Sequence, residues 1–290
     1  MRDGPAPRRE NALFRRWAHW GALSGPRGFV RFAPGPIGAG FGVMLPAIRA
    51  RIIANLRRVH GKRGRLSEQR DALATFANYA ACFTEAIASG RPDVTPRLAV
   101  RGAERLRDAR AAGGVVLVTA HVGPWELTAQ LLGSELAADV VVVMEREQNR
   151  EARELQDQHR VERGLRVLHI GEHPTDALPL IAHLKKGGVA ALQLDRVPPS
   201  GRVLPVSLFG APFRAPEGPF RLASLSGAQV LPVFARRTGF FEYELEISEA
   251  ITLPRRPSAA ELQAAAQQAV AAMQAFVQHC PTQWFHFNDG

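Results

Sequence analysis

From residue 115 onward, short apolar runs alternate with longer segments in which apolar residues recur every three or four positions. The short runs predict buried strands and the longer segments predict helices. The predicted strands lie near 115–120, 139–144, 165–170, 188–194, 203–208, 229–234 and 242–247, and the helices near 125–137, 149–163, 174–186, 217–226 and 258–279. This alternation is typical of an α/β fold with a central, mostly parallel sheet flanked by helices. The last strand alternates polar and apolar residues, which predicts an edge or antiparallel strand.

The region before residue 96 has a helical pattern instead. Residues 1–12 are polar and rich in proline, which predicts a disordered tail. Between 43 and 59 apolar residues recur at helical spacing with arginines among them, which predicts an amphipathic helix that lies on a membrane or packs on the core. A second helix is predicted over 67–89, with Ser67 as its N-cap. We therefore expect an N-terminal helical, membrane-associating segment over 13–95, continuous with an α/β domain over 96–290.

The charge of the chain points to an anionic partner. The formal net charge is +10, and almost all of it comes from arginine, which binds phosphate groups with two parallel hydrogen bonds. A phospholipid surface, a phosphorylated sugar, an acidic carrier protein and nucleic acid all fit, as does an arginine-rich surface without a partner. Tryptophan and phenylalanine residues stand among the arginines between 15 and 41, a mixture typical of a membrane interface.

Several functional classes are disfavoured because the sequence lacks the residues or motifs that they require. Cys82 and Cys280 are too few for a disulfide framework or a zinc site. The first residues lack the apolar core of a signal peptide, and the uncharged stretches are too polar or too rich in glycine and proline to span a bilayer, so we expect peripheral membrane contact. The motifs of serine hydrolases, P-loop kinases and dinucleotide-binding dehydrogenases do not occur in the sequence.

The strongest candidate for chemistry follows the strand predicted at 115–120. That strand ends in His121, and Gly123-Pro124 and then Glu126 follow. Open α/β sheets place their active sites at the carboxyl ends of strands, and a histidine oriented by a carboxylate can move a proton from a hydroxyl to a leaving group. The alternative is a structural histidine with a helix-capping glutamate. A metal site is disfavoured, because the helical His-x3-His spacing is missing.

Other polar residues follow neighbouring strands or begin helices. Glu145, Arg146 and Asn149 come after the second predicted strand, so Arg146 could bind a phosphate or carboxylate at the same edge as His121. Asp195 ends a further strand, and Glu217-Gly218 begins a helix. The alternatives are a solvated charge cluster for Arg146 and a helix-start carboxylate for Glu217.

In this order, the motifs resemble the lysophospholipid acyltransferase superfamily, and most of all its bacterial lipid A late acyltransferase and phosphatidylinositol mannoside acyltransferase branch. His121 and Glu126 match the His-x4-Asp/Glu motif of the superfamily. The resemblance covers roughly 15–287 and also includes the basic segment 49–57, Glu145-Arg146, Asp195-Arg196, Leu208-Phe209-Gly210, Pro216-Glu217-Gly218, Leu231–Phe234 and Gln283-Trp284-Phe285. The residue after Asp195 departs from the family, which often has Gln or His where this chain has Arg196.

The resemblance implies roles for particular residues. His121 and Glu126 would be catalytic, and substrate would contact Glu145, Arg146, Asn149, Arg160, Asp195, Glu217 and Gly218. The family has a functional arginine near 160–163, and we prefer Arg160 to Arg163 for it. Glu217 and Gly218 would lie beside the phosphate of the acceptor.

The resemblance also implies a function. The expected activity is transfer of a fatty acyl chain from an acyl thioester, on acyl carrier protein or coenzyme A, to a hydroxyl of a lipid or glycolipid acceptor. No metal or bound cofactor is expected, because the thioester supplies the driving force. The expected location is peripheral, on the cytoplasmic face of the inner membrane, with no nucleic-acid partner. The alternative is a non-catalytic basic protein that binds anionic lipid or nucleic acid, which would leave His121 and Glu126 without a role.

Overall fold

A computed structural model of the chain describes residues 19–125, 127, 140–145, 166–170, 174–197 and 201–287. The predicted tail over 1–12 lies outside these residues, as do the helix predicted at 149–163 and the helix predicted at 125–137 apart from Trp125 and Leu127, which are helical. The strands within these described ranges are β1 (Arg97–Arg101), β2 (Val115–Thr119), β3 (Val140–Glu145), β4 (Arg166–Ile170), β5 (Val189–Gln193), β6 (Val203–Leu208), β7 (Ala211–Pro216), β8 (Gln229–Gly239) and β9 (Glu242–Ile247).

Seven of these strands form the central sheet, in the order β1-β9-β8-β2-β5-β3-β4. β2 pairs in parallel with β5 and β8, and β3 pairs in parallel with β4 and β5. β9 runs antiparallel to β8, as its alternating sequence predicts, but it is not an edge strand, because β1 covers its other side. The mostly parallel sheet predicted from the sequence is therefore confirmed.

The strand predicted at 203–208 lies outside this sheet. β6 pairs only with β7, as an antiparallel hairpin. Phe209 and Gly210 form its turn, and both have positive φ, 53° and 74°, the backbone geometry that suits a two-residue hairpin turn. β7 is absent from the sequence prediction because prolines at both of its ends disfavour a strand.

The helices are α1 (Arg27–Phe32), α2 (Pro34–Met44), α3 (Pro46–His60), α4 (Arg65–Ala88), α5 (Ala103–Ala112), α6 (Leu178–Lys185), α7 (Gly218–Ser226) and α8 (Ala259–His279). α8 begins with a capping box, in which Ser258 and Glu261 satisfy each other's backbone N–H groups. Ser67 does not cap α4 as predicted, because that helix begins two residues earlier, after Gly64.

Helix α2 lies within the N-terminal segment that the sequence predicts to be helical, although it is rich in glycine and proline. It packs tightly against α4. A side chain at Gly38 would lie 2.5 Å from the carbonyl oxygen of Phe76, and one at Gly42 would lie 2.7 Å from the Phe76 ring. Close packing of α2 against α4 therefore requires glycine at both positions. Among the described residues, no single helix is long and apolar enough to cross a membrane, although the bent pair α2 and α3 passes that test together.

The strand that carries the site is buried on both faces. Val116 and Val118 of β2 pack on one side of the sheet, in a cluster that includes α7 and α8. Val115 and Leu117 pack on the other side, against Leu106 of α5. Each such side chain contributes roughly 1.5–3 kcal/mol when fully buried. β2 is thus held rigidly in the middle of the sheet, which fixes the position of the residues that directly follow it.

Candidate active site

Two parallel neighbours bring His121 and Asp195 together. In the register of the sheet Thr119, the last residue of β2, is paired with Gln193, the last residue of β5. His121 and Asp195 each follow two residues later, and Leu194 N–H still donates to the Thr119 carbonyl at 2.7 Å. The two side chains therefore meet at the carboxyl edge of the sheet, where α/β proteins place their active sites.

The contact between them has two hydrogen bonds. His121 Nδ1 lies 2.8 Å from Asp195 Oδ1, and the backbone N–H of His121 donates to Oδ2 at 3.0 Å. The Asp195 side chain is 0% exposed and that of His121 10%. Burial by itself raises the pKa of Asp195, but the attraction and hydrogen bonds of His121 outweigh it and lower that pKa to about 2.

This geometry sets the hydrogen on the imidazole. An ionised carboxylate only accepts, so Nδ1 of His121 must carry the hydrogen that it donates to Asp195. In the neutral ring Nε2 then holds a lone pair and can take a proton. The pair has the arrangement of a general base and its orienting acid.

The C-terminal strap, residues 281–287, was not given a role by the sequence beyond its family likeness. Its backbone runs beside the loop after β2: Phe285 N–H donates to the His121 carbonyl at 2.7 Å, and Gly123 N–H donates to the Gln283 carbonyl at 2.9 Å. The indole N–H of Trp284 donates to Asp195 Oδ2 at 3.3 Å. The signal in the sequence was the run of aromatic residues and His286 that directly follows the last helix.

His286 lies beside Trp284 and near Asp195. Its ring stacks on Trp284, with centroids 5.2 Å apart, and its Nδ1 is 3.9 Å from Asp195 Oδ2, too far for a hydrogen bond. Burial lowers the pKa of His286, although Asp195 acts in the opposite direction. A neutral His286 therefore leaves the Asp195 charge available to His121. Asn55 of α3 holds this part of the strap through the His286 carbonyl at 2.6 Å.

Similarity to known proteins identifies the family of this chain. The family model for bacterial lipid A biosynthesis acyltransferases matches residues 14–289. The chain belongs to this family. The match confirms the resemblance drawn from the motifs, and the chain is an acyltransferase of lipid biosynthesis. The crystal structure of the 1-acyl-sn-glycerophosphate acyltransferase PlsC from Thermotoga maritima aligns at 15% identity with a TM-score of 0.40, over 92% of this chain and 97% of that one. No curated sequence matches.

The structure gives Asp195 a different contact from the one predicted for it. The sequence assigned Asp195 to substrate, but its buried carboxylate binds His121 and Trp284 instead. Asp195 also binds Nδ1 of His121, whose imidazole Glu126 was predicted to orient. Glu126 lies outside the described residues, so its part in the acyltransferase reaction stays a prediction.

The other predicted substrate residues divide into two groups. Glu145 ends β3, which pairs in parallel with β5, so its backbone reaches the same edge as Asp195. The residues outside the described part of the chain are Arg146, Asn149, Arg160 and Arg163. Glu217 stands at the N-cap position of α7 without a capping hydrogen bond from its side chain, and Gly218 is the first residue of that helix. The Glu217 carboxylate pairs with Arg221 one turn later.

A large cavity lies at the opposite end of the sheet. It has a volume of about 540 Å³ and is lined by Arg110, Arg166, His183 and Lys186, among others. Arg166 and Val189, the first residues of β4 and β5, also line it, so it opens at the amino edge, away from His121. The cavity is therefore separate from the pair of His121 and Asp195. Within the described ranges, no three His, Cys, Asp or Glu side chains are grouped to hold a metal ion.

Gly123 lies in the turn after His121, and both its backbone conformation and its surroundings favour glycine. Its φ is +55°, and an added Cβ would lie 2.4 Å from the carbonyl oxygen of Ala235 in β8. We expect Gly123→Ala to lower the free energy of unfolding by about 2–4 kcal/mol, since positive φ and a backbone clash act together. Chemical denaturation of the two proteins measures this. Gly227→Ala is the matched control, because Gly227 also has positive φ, in the left-handed helical region, but nothing lies near its Cβ; an equal loss in both variants would contradict the clash.

Proposed function

We propose that this acyltransferase moves a fatty acyl chain from an acyl thioester to a hydroxyl of a lipid or glycolipid, with His121 as general base and Asp195 as the carboxylate that orients it. The observation that carries the proposal is the buried hydrogen bond of 2.8 Å between His121 Nδ1 and Asp195 Oδ1. Within a lipid acyltransferase, a strand-end histidine held in this way is suited to activate a hydroxyl.

The proposed reaction proceeds in two steps. Nε2 of His121 removes the proton of the acceptor hydroxyl as its oxygen bonds to the thioester carbonyl carbon. The tetrahedral intermediate then collapses, the carbon–sulfur bond breaks, and the proton passes from His121 to the leaving thiolate. Asp195 stabilises the transient imidazolium, which lies against its charge. General base catalysis of this kind contributes about 10²- to 10⁴-fold to the rate.

The donor and acceptor complete the proposal. Acyl carrier protein and coenzyme A both present the thioester on a phosphopantetheine arm, and both are anionic, which suits a chain of net charge +10. The family match favours a phosphorylated glycolipid of the lipid A type as the acceptor. We propose Glu145, Arg146, Asn149 and Arg160 as groups that bind these substrates, and Glu126 as a second carboxylate of the site. The thioester supplies the driving force, so the proposed reaction includes no metal or cofactor.

A direct assay tests the donor and the acceptor. Purified protein is incubated with acyl carrier protein thioester or acyl-coenzyme A, and with a lipid A precursor, a lysophospholipid or a simple glycolipid. Mass spectrometry follows the acylated product. Transfer to one acceptor class that is lost in His121→Ala supports the proposal, whereas binding of the lipids without any thioester-dependent product favours the non-catalytic alternative.

We further propose that the acyltransferase binds the cytoplasmic face of the inner membrane peripherally through its N-terminal helices. Several large apolar side chains of these helices face solvent: Trp20 is 63% exposed, Phe32 68%, Val43 62% and Met44 65%. Arginines lie among them, and the Arg31 guanidinium is 5.2 Å from the centre of the Phe32 ring. Apolar side chains with interspersed arginines are suited to the headgroup region of an anionic bilayer.

Vesicle sedimentation measures this binding. We expect the protein to sediment with vesicles of phosphatidylglycerol and phosphatidylethanolamine and to be released by high salt, because each basic residue near the surface contributes about 1 kcal/mol that salt screens. Phe32→Ser should weaken binding several-fold. Leu225→Ser, which changes a 56% exposed apolar residue of α7, should leave it unchanged. A protein that stays in solution at low salt would contradict the membrane proposal.

A further inference from the structure

The C-terminal strap contacts both members of the catalytic pair. Through its backbone it holds the carbonyl of His121 and the N–H of Gly123, with bonds of 2.7 and 2.9 Å. Through the Trp284 indole it holds the carboxylate of Asp195. A segment far from both residues in sequence is thus joined to the base and to the acid that orients it.

Asp195 depends on few hydrogen-bond donors. Its Oδ1 accepts from His121 Nδ1, and its Oδ2 accepts from the backbone of His121 and from Trp284 Nε1. The Asp195 side chain is fully buried and Trp284 is 4% exposed, so bulk water does not reach this oxygen. A buried carboxylate that loses a donor becomes more basic and is held less firmly in its orientation.

We propose that Trp284 is a positioning residue of the acyl transfer reaction: its indole N–H holds the Asp195 carboxylate in the orientation that binds Nδ1 of His121. Trp284 itself is fixed by its neighbours, since its ring stacks on His286 and lies 5.9 Å from Phe209. The proposal rests on the proposed function, because it assigns Trp284 a part only if His121 and Asp195 carry the proton.

The decisive change removes the N–H and keeps a flat ring. Trp284→Phe should lower kcat about threefold to tenfold with little change in KM for donor or acceptor, because Trp284 acts on the pair and not on substrate. The acid limb of the kcat/KM profile should move to higher pH, because the more basic carboxylate holds the proton on the pair. The other titratable groups that act here are His286, beside Asp195, and Arg196 and Arg58, which help to lower the pKa of His286.

Two further proteins separate positioning from packing. Replacement of Trp284 by benzothienylalanine exchanges the N–H for sulfur in a ring of the same shape, so it applies even if Trp284→Phe folds poorly. Phe285→Leu disturbs the strap at the next residue, which is 3% exposed and packs edge-on against Tyr79, but it leaves the indole donor in place. Phe285→Leu should lower the melting temperature without moving the pH profile.

The NMR signal of the His121 Nδ1 proton is a readout that needs no substrate. It should move downfield in the Trp284 variants, because the carboxylate becomes a stronger acceptor, and stay in place in Phe285→Leu. A benzothienylalanine protein with wild-type kcat, pH profile and Nδ1 proton signal would overturn the positioning role. If the benzothienylalanine protein matches the wild type in these readouts while His121→Ala is inactive, the positioning role fails and the proposed function stands. If His121→Ala is fully active, both proposals fail.

Discussion

Replacement of His121 by alanine is expected to abolish acyl transfer, with a loss of at least about 10³-fold in kcat/KM. The imidazole is the base in the proposed mechanism, and the Asp195 carboxylate beside it is fully buried and cannot reach a substrate in its place. The fold should persist with a lower melting temperature, because His121 lies beyond the end of β2, but its loss leaves the buried Asp195 carboxylate without its ring partner.

The control for this experiment is a histidine of the same chain. His279→Ala removes an exposed imidazole at the end of α8, where its only described bond is to the Ala275 carbonyl. It should have wild-type activity in the same assay. Circular dichroism and melting curves of both variants verify folding. A folded His121→Ala protein with wild-type turnover would exclude His121 as the base.

Asp195→Asn is expected to lower kcat about 10²- to 10⁴-fold with little effect on KM. The amide has one acceptor oxygen and one donor nitrogen, whereas Asp195 meets donors on both of its oxygens. If the NH2 group replaces Oδ2, it faces the two N–H donors there; if it replaces Oδ1, it donates to Nδ1 of His121 and favours the tautomer with the hydrogen on Nε2, which cannot take a proton. In both orientations the charge that stabilises the imidazolium is lost. Leu194→Met, a neighbouring change of similar volume in the core, is the control and should stay active.

The same carboxylate makes stability depend on pH in a definite direction. The pKa of Asp195 is lowered from 3.8 to about 2 by folding, so the stability it contributes is present above pH 4 and is lost as the pH falls toward 2. Acid unfolding followed by circular dichroism should thus be less steep over this range in Asp195→Asn. An unchanged acid transition, together with unchanged turnover, would contradict the account of Asp195.

The place of His121 at the carboxyl edge of the sheet could be predicted from the sequence because its signal is local. An apolar strand, a histidine and a Gly-Pro turn are adjacent in the sequence. Active sites of open α/β sheets lie at the carboxyl ends of their strands, which predicts that His121 lies at that edge. The partner of His121 was harder to predict, because Asp195 is 74 positions away and meets it only through the pairing of β2 with β5. That order of strands is a property of the whole sheet.

Two other features depended on tertiary packing in the same way. Trp284 reaches Asp195 across 89 positions, and only the folded strap reveals the contact. Helix α2 has the glycine and proline content of a loop, but its glycines allow a close approach to α4 that stabilises it as a helix. Local propensity predicted six of the seven strands of the central sheet. It missed β1 and the elements whose stability comes from their neighbours.

A double-mutant cycle tests most directly whether His121 and Asp195 act as one proton-transferring unit. The kcat/KM for acyl transfer is measured for the wild type, His121→Ala, Asp195→Asn and the double variant, under one set of conditions. Because Asp195 acts only through His121, the double variant should be no slower than His121→Ala alone. If the two losses multiply instead, Asp195 acts independently of His121, and the pair is not the catalytic unit of this acyltransferase.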